Sequence, residues 1–267
     1  MPASLSFIGG GNMATAMIHA LLAQAKPPQI TVSEPDPDKR AGFAAQGLIT
    51  TGDNGQAAAA SEVVVLAIKP QVAAQAVPEI GAAWSRDKLL VSILAGTTTR
   101  KLEGWLPAGA RVVRAMPNTP LAIGRGMVGL CRGTHATMED LAVAEALFSP
   151  CGKVLRLGDE SRMDAVTAIS GSGPAYFFKF AEAMLAAAEA LGFTRDEAVL
   201  LIAQTGAGSW DYLLRSGFEA RRLREQVTSP GGTTAAALKV LDDAGFSDSI
   251  KQALLAAERR GKELAQM

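Results

Sequence analysis

The first part of the chain alternates short apolar runs with longer segments whose apolar residues recur at helical spacing. The apolar runs lie at residues 5–8, 30–32, 63–68, 89–94 and 112–115. The helical segments lie between them, at residues 13–25, 38–46, 72–82 and 100–105. Strands that alternate with helices in this way predict a parallel sheet with crossover helices.

The pattern changes further along the chain. Residues 127–131 and 154–157 predict two more strands, which flank a helix at residues 138–148. After about residue 158, long helical runs rich in alanine and leucine follow, at residues 175–191, 196–214, 234–243 and 247–266. The run from 177 to 191 is apolar around most of its circumference, so this helix must be buried on most sides.

A small helical domain buries little apolar surface on its own, so we expect these helices to pack against a second subunit. We therefore predict two domains, a sheet domain at residues 1–158 and a helical, dimerising domain at residues 159–267.

Composition supports a folded protein and narrows its partners. Hydrophobic residues make up 48% of the 267 residues and charged residues 19%, enough apolar material for a sizeable core. The net charge is +0, with 26 basic and 26 acidic residues, which argues against nucleic acid or an anionic membrane as a partner. No apolar run is long enough to span a membrane, and residues 5–8 are too short for a secretion signal.

Cysteine and histidine usage gives no sign of a metal site. Cys131 and Cys151 are the two cysteines, and neither has a metal-ligand spacing with His19 or His135. This usage is typical of a reduced, intracellular protein, and we expect a cytoplasmic one.

Residues 9–14, Gly-Gly-Gly-Asn-Met-Ala, fit the pattern G-x-G-x-x-A directly after the first strand and at the start of the first helix. Gly9 permits a tight turn, Gly11 lets a pyrophosphate approach the backbone, and Ala14 allows close packing of helix on strand. This context indicates a Rossmann-type dinucleotide-binding domain. The alternative is an ordinary glycine-rich turn.

Glu34 follows the second strand, where an acid accepts hydrogen bonds from the adenosine ribose of NAD and repels the 2′-phosphate of NADP. Ser33, Lys39 and Arg40 are neighbours that could hold a phosphate, so NADH and NADPH both stay open, with the local pattern favouring NADH. The alternative is that Glu34 is a solvated turn residue before Pro35.

Two more segments follow strands of the sheet, at the edge where an open α/β sheet binds its ligands. Residues 67–71, Ala-Ile-Lys-Pro-Gln, place Lys69 at the crevice. Residues 114–120, Arg-Ala-Met-Pro-Asn-Thr-Pro, form a rigid polar turn. Each segment alone is equally compatible with a plain strand–loop boundary.

Residues 228–234, Thr-Ser-Pro-Gly-Gly-Thr-Thr, hold four hydroxyls, two adjacent glycines and no titratable group. Because a helical run follows, the loop offers backbone N–H groups and hydroxyls to a small anion. The alternative is that Thr228 or Ser229 caps the helix. A second motif, Ser-Gly-Ser-Gly at residues 170–173, predicts a turn with a helix starting at Pro174.

Together these motifs resemble the pyrroline-5-carboxylate reductase family, which makes proline in the last step of its biosynthesis. The resemblance covers essentially the whole chain and rests on residues 9–14, 67–71, 116–120, 168–177 and 227–234, in that order. It implies a Rossmann-type α/β domain followed by an all-α dimerisation domain like the C-terminal one of 6-phosphogluconate dehydrogenase. It also implies an active site completed by helices of two subunits, and dimers that in some members build rings.

The resemblance also implies a reaction and its residues. NADPH or NADH would reduce 1-pyrroline-5-carboxylate, with the substrate carboxylate held by the 228–234 loop and Thr234 near the ring nitrogen, as the catalytic residue. Substrate-binding residues are expected at Glu160, Ser172, Gly232, Thr233 and Thr234. Cofactor-binding residues are expected at Gly9, Gly10, Gly11, Asn12, Met13, Ser33, Glu34, Asn54, Ile68, Lys69, Pro70 and Asn118. No metal is expected.

The proposed chemistry is hydride transfer to C5 of an imine, for which the protein mainly orients donor and acceptor. The imine arrives protonated or takes a proton from water, so no strong general acid is needed. That agrees with a loop that bears only hydroxyls. His19 and His135 are expected to be structural.

Two other functions are compatible with parts of the pattern. A β-hydroxyacid dehydrogenase would need a catalytic lysine four residues after Gly173, where this chain has Phe177; Lys179 lies on a different helical face. A non-catalytic, NAD(P)-sensing protein would bind cofactor without turnover, but it gives no reason for the 228–234 loop.

Overall fold

The computed structural model describes residues 2–266 and divides into two compact units. The sheet unit runs to Pro174 and includes the chain from Ala256 onward, and the helical unit is Ala175–Leu255. The boundary that we place after residue 158, where the strand pattern ends, stays a prediction.

Eight strands form one sheet among the described residues, in the order β3-β2-β1-β4-β5-β6-β7-β8. They are β1 Ser4–Ile8, β2 Gln29–Ser33, β3 Ile49–Thr51, β4 Val63–Leu66, β5 Leu89–Ser92, β6 Arg111–Met116, β7 Gly126–Arg132 and β8 Gly152–Arg156. All neighbours are parallel except β6 and β7. All four residues of β4 are buried, because helices cover both faces of a parallel sheet.

In the part of the chain that the structure describes, seven α-helices accompany the sheet: α1 Asn12–Leu22, α2 Pro37–Ala44, α3 Asn54–Ala59, α4 Ala73–Gly81, α5 Thr99–Trp105, α6 Met138–Phe148 and α7 Met163–Val166. The strand order reverses beside β1, which pairs with β2 on one side and β4 on the other. An open α/β sheet binds ligands at such a reversal, outside the carboxyl ends of the strands. The glycine turn that follows β1 therefore lies where a ligand is expected.

The predicted Rossmann-type parallel sheet is confirmed, and each predicted strand and helix of the sheet unit overlaps an observed one. In the sheet unit, the prediction missed β3, α3 and the four-residue α7. The strand is three residues long and at the sheet edge, with Ile49 exposed, so it lacks the apolar run of a buried strand. Helix α3 has six residues, half of them alanine, and is too short to show a periodic face.

Five more helices follow within the described residues: α8 Gly173–Ala190, α9 Arg195–Arg215, α10 Ala220–Gln226, α11 Thr233–Asp243 and α12 Phe246–Gln266. Among the described residues of Ala175–Leu255, Ala198 alone is buried. Large apolar side chains are instead exposed to solvent, including Leu191 at 78%, Leu200 at 70% and Phe178 at 61%. An apolar surface of this extent is expected to be covered by a second subunit.

None of the helices described between residues 2 and 266 is both long and apolar enough to cross a bilayer.

Candidate active site

The glycine turn between β1 and α1 leaves the start of the helix open. Gly9 has a φ of +98°, and a Cβ there would lie 2.6 Å from the carbonyl oxygen of Ala67, so only glycine fits. Gly11 caps α1 without a side-chain hydrogen bond, and a Cβ on it would meet nothing within 4 Å. Asn12 and Met13 form the first turn. The uncapped N–H groups and the free space fit the pyrophosphate of a dinucleotide.

Glu34 is bound to this turn. Its Oε2 accepts a hydrogen bond from the backbone N–H of Gly10 at 2.8 Å, and its Oε1 accepts one from that of Asp36 at 3.2 Å. The residue is only 7% exposed, so the alternative of a solvated turn residue is wrong. A Cβ on Gly10 would lie 2.5 Å from the ring of Phe43 in α2, so a glycine at this position lets the turn approach α2 closely.

Ser33 and Asn54 meet beside the turn. The Ser33 hydroxyl donates to the Asn54 Oδ1 at 2.7 Å, and the Asn54 Nδ2 donates to the Glu79 Oε2 at 2.7 Å. The carbonyl of Ser33 accepts from the N–H of Gly9 at 2.8 Å. Sequence reasoning missed Glu79, because an exposed acid on α4 carries no local signal of a site.

Arg40 does not reach toward solvent. Its Nη1 donates to the backbone carbonyls of Glu34 at 2.6 Å and Pro35 at 2.8 Å. The guanidinium therefore holds the turn that carries Glu34.

Residues 68–70 lie against the glycine turn at the end of β4. The Cγ2 of Ile68 is 2.9 Å from the position of a Cβ on Gly9. Lys69 is exposed and extended, and Pro70 begins a short 3₁₀ turn that ends the strand. The structure thus brings Gly9–11, Ser33, Glu34, Asn54 and Ile68 together at the carboxyl edge of the sheet.

Asn118, after β6, connects two other segments of the sheet unit. Its Oδ1 accepts from the Met127 N–H at 2.9 Å, and its Nδ2 donates to the Ser170 carbonyl at 3.1 Å. Its predicted contact with the cofactor stays a prediction, since both ends of the amide are engaged by the protein.

The Ser-Gly-Ser-Gly motif is not the turn that its composition predicts. Thr167–Gly171 is π-helical, and the N–H of Ser172 donates to the carbonyl of Thr167 at 2.8 Å. Gly171 permits close approach, because a Cβ there would lie 2.6 Å from the methyl of Met116. The predicted helix start is confirmed, with α8 beginning at Gly173. The prediction failed because glycine and serine usually favour turns, whereas here packing requires small residues in a helix.

Glu160 belongs to a buried network. Its Oε1 accepts from the Thr99 N–H at 2.9 Å and from the Arg114 Nη1 at 3.0 Å, and its Oε2 accepts from the Thr99 hydroxyl. Arg114 also contacts Asp164 at 3.4 Å and is 2% exposed. Glu160 also borders a polar cleft of about 430 Å³. The cleft is lined by Thr99, Arg100, Arg132, Gly133, Thr134, Gly158 and Glu160.

In the helical unit, the 228–234 loop leads into α11 without a side-chain cap. The N-cap is Gly232, and the Thr228 hydroxyl donates back to the carbonyl of Arg224 at 2.6 Å, so the alternative of a Thr228 or Ser229 cap is wrong. Gly231 has a φ of +71°, which favours glycine.

The first turn of α11 starts with Thr233 and Thr234 and contains no acid. The N–H of Gly232 is engaged by the carbonyl of Ser229 at 3.0 Å. The first-turn N–H groups have no partner within the helix, so the two threonines present donors at the positive end of the helix, where an anion is stabilised.

The cysteines have no nucleophilic character. Burial raises the pKa of the Cys131 thiol to about 12 and that of the Cys151 thiol to about 11, so both are protonated at neutral pH. No group of three or more His, Cys, Asp or Glu side chains within residues 2–266 is arranged to hold a metal ion.

The position where a β-hydroxyacid dehydrogenase needs its lysine is occupied by a ring. Phe177 packs edge-to-face on Trp210 with ring centroids 5.4 Å apart. Lys179 is on the exposed surface and pairs with Glu182 at 3.3 Å.

Two family models match the chain. The model described as pyrroline-5-carboxylate reductase dimerisation matches residues 160–264. The model described as NADP oxidoreductase, coenzyme F420-dependent, matches residues 4–96, which hold the glycine turn and β1–β5.

Relatives match over almost the whole chain. The pyrroline-5-carboxylate reductase of Pseudomonas aeruginosa is 42% identical over 264 residues, covering 98% of this chain and 97% of that protein. The Haemophilus influenzae protein of the same name is 42% identical over 262 residues, covering 97% of each.

Solved structures agree. A pyrroline-5-carboxylate reductase from Coxiella burnetii has a TM-score of 0.91 at 38% identity and covers 100% of both chains. The Plasmodium falciparum pyrroline carboxylate reductase with NADP bound has a TM-score of 0.90 at 29% identity over 98% of each. A Mycobacterium tuberculosis 3-hydroxyisobutyrate dehydrogenase shares only the fold, with a TM-score of 0.53 at 19% identity over 76% of this chain and 71% of that one.

Proposed function

Because the chain belongs to the pyrroline-5-carboxylate reductase family, we propose that it reduces 1-pyrroline-5-carboxylate to L-proline with NADPH or NADH. The observation that carries this function is the uncapped start of α11, which offers donors to a carboxylate but no acid or base. An enzyme that reduces a carbonyl to an alcohol needs a proton-transfer group, whereas the reduction of a protonated imine needs only positioning. This loop fits the imine.

The residues of the glycine turn would hold the cofactor. The N–H groups at the start of α1, at Asn12 and Met13, would bind the pyrophosphate, with Gly11 allowing its approach. Glu34 and Asn54 would face the adenosine ribose, and Ile68 and Lys69 the nicotinamide side, with Pro70 ending the strand. When bound, the reduced nicotinamide supplies the hydride that adds to C5 of the imine.

The substrate would be held by its carboxylate. Thr233 and Thr234 would donate backbone N–H groups to it, aided by the positive end of α11. The Thr234 hydroxyl would contact the ring nitrogen and so orient C5. Glu160 would support the substrate region through its bonds to Thr99 and Arg114 rather than by a free carboxylate, and Ser172, directly before α8, would contact the substrate.

The protein assembles as a homodimer or as a larger oligomer built from dimers. The helical unit buries one residue of its own, and the family model that matches it is that of dimerisation. We place the protein in the cytoplasm, which its two buried, unpaired cysteines support.

Direct assay tests the function. Purified protein mixed with 1-pyrroline-5-carboxylate and NADH or NADPH should lose the absorbance of the reduced nicotinamide and accumulate proline in equal amounts. A 3-hydroxy acid with NAD⁺ or NADP⁺ should give no reaction. Absence of substrate-dependent oxidation with both cofactors contradicts the proposal, and so does turnover of the hydroxy acid alone.

Thr234→Ala should lower kcat/KM for the imine by about 10- to 100-fold, the effect of losing one hydrogen bond to a charged group. Cofactor affinity should not change, since Thr234 lies outside the glycine turn. Thr234→Ser retains the hydroxyl and should recover most of the activity. Steady-state kinetics and a cofactor titration measure both quantities; wild-type kinetics for Thr234→Ala would remove this residue from the site.

A further inference from the structure

We propose that Glu34 makes this chain select against the 2′-phosphate, so that NADH is used in preference to NADPH although both bind. The inference rests on the proposed function and concerns the adenosine end of the cofactor. Its basis is the fixed position of a buried carboxylate and the engagement of the neighbouring groups that could bind a phosphate.

The Glu34 carboxylate cannot turn away from a ligand at the glycine turn. Its two oxygens accept hydrogen bonds from two different backbone N–H groups, those of Gly10 and Asp36, at 2.8 and 3.2 Å. Because Gly10 lies in the glycine turn, the carboxylate is held where the dinucleotide is proposed to bind. Burial to 7% exposure weakens the screening of its charge by solvent. A carboxylate at the end of β2 accepts bonds from ribose hydroxyls and repels a phosphate there.

Ser33 has no proton left for a phosphate. Its hydroxyl donates to the Asn54 Oδ1, and the orientation of the Asn54 amide is set by Glu79. A carboxylate only accepts hydrogen bonds, so Glu79 must face the Nδ2 of Asn54, and the Oδ1 must face Ser33. Glu79 also adds a second negative charge to this end of the site.

Arg40, the arginine closest to Glu34 in the sequence, already donates its hydrogen bonds to protein carbonyls. Arg40 donates to the backbone carbonyls of Glu34 and Pro35 and lies under the turn, with its Nη1 3.4 Å from the position of a Cβ on Gly52. Lys39 is the other cation near the turn; it is exposed, and Asp36 and Asp38 flank it in the same turn of α2. Acidic side chains thus outnumber the cations that could neutralise a 2′-phosphate.

The test measures binding without turnover. Isothermal titration of the purified wild-type protein with ADP-ribose and with 2′-phospho-ADP-ribose should show ADP-ribose binding at least about 10-fold more tightly. Glu34→Ser should bring the ratio to one or reverse it. Glu34→Gln should give an intermediate ratio, because the amide can accept from Gly10 but carries no charge. Glu62→Gln, an exposed acid at the amino end of β4, is the matched control and should keep the wild-type ratio.

Equal or tighter binding of 2′-phospho-ADP-ribose by the wild type overturns the inference, as does an unchanged ratio in both Glu34 variants. If Glu34→Ser does not fold, as judged by its melting curve, the wild-type ratio and Glu34→Gln decide. Neither ligand is reduced, so the ratio is independent of the reductase assay: loss of imine turnover contradicts the proposed function alone.

Discussion

Replacing Arg114 with alanine is expected to destabilise the protein by about 3–5 kcal/mol, the usual cost of removing one partner from a buried ion pair. Arg114 is 2% exposed and contacts Glu160 at 3.0 Å and Asp164 at 3.4 Å. Without the guanidinium, two partly buried carboxylates lose the cation that they share. Urea unfolding followed by circular dichroism measures the loss.

The surroundings of Arg114 make the prediction specific. Arg100 is an exposed arginine of the same unit, and Arg100→Ala should change the unfolding free energy by less than about 0.5 kcal/mol. Combining Arg114→Met with Glu160→Gln and Asp164→Asn removes all three charges and should cost less than Arg114→Ala alone, because no uncompensated charge stays buried. If the urea midpoint of Arg114→Ala equals that of the wild type, the network does not stabilise the fold.

This network also shows where sequence reasoning stops. A strand could be predicted at residues 112–115, because a strand pattern is local. The burial of Arg114 within this strand could not be predicted, because its partners Glu160 and Asp164 lie 46 and 50 residues away in the sequence and are brought to it by the fold. Glu160 is predicted as a site residue only through the family resemblance. Its hydrogen bonds to Thr99 could not be predicted, because the two residues lie 61 positions apart in the sequence.

Local chemistry explains the successes. The glycine turn between the first strand and the first helix could be predicted from its local pattern, whereas the hydrogen bond from the Gly10 N–H to Glu34 is seen only in the structure. The 228–234 loop could be identified as a candidate anion site from its hydroxyls and glycines. The residue that caps α11 could not be predicted, because serine, threonine and glycine are all favoured at an N-cap. Only the backbone conformation shows that Gly232 is the cap.

Gly11→Ala is expected to lower cofactor affinity on the order of 100-fold while leaving the fold intact, because the motif needs the second glycine for close approach of the pyrophosphate. Gly11 has a φ of −73° and a ψ of 175°, which any residue adopts, and a Cβ there would meet no protein atom within 4 Å. The methyl group therefore costs the free protein little. It would occupy the space in front of α1, where the cofactor is proposed to bind.

Variants of two other glycines distinguish a loss of cofactor affinity from a loss of stability. Gly42→Ala in α2 also meets no atom within 4 Å, so it should keep wild-type affinity and gain slightly in stability, since alanine favours a helix over glycine. Gly10→Ala would force a methyl to 2.5 Å from the Phe43 ring and should lower the melting temperature as well as the affinity. Fluorescence titration with NADH beside melting curves distinguishes the three. Wild-type affinity in Gly11→Ala would mean that the pyrophosphate does not bind at the start of α1, and a melting temperature as low as that of Gly10→Ala would show that Gly11 is needed for folding instead.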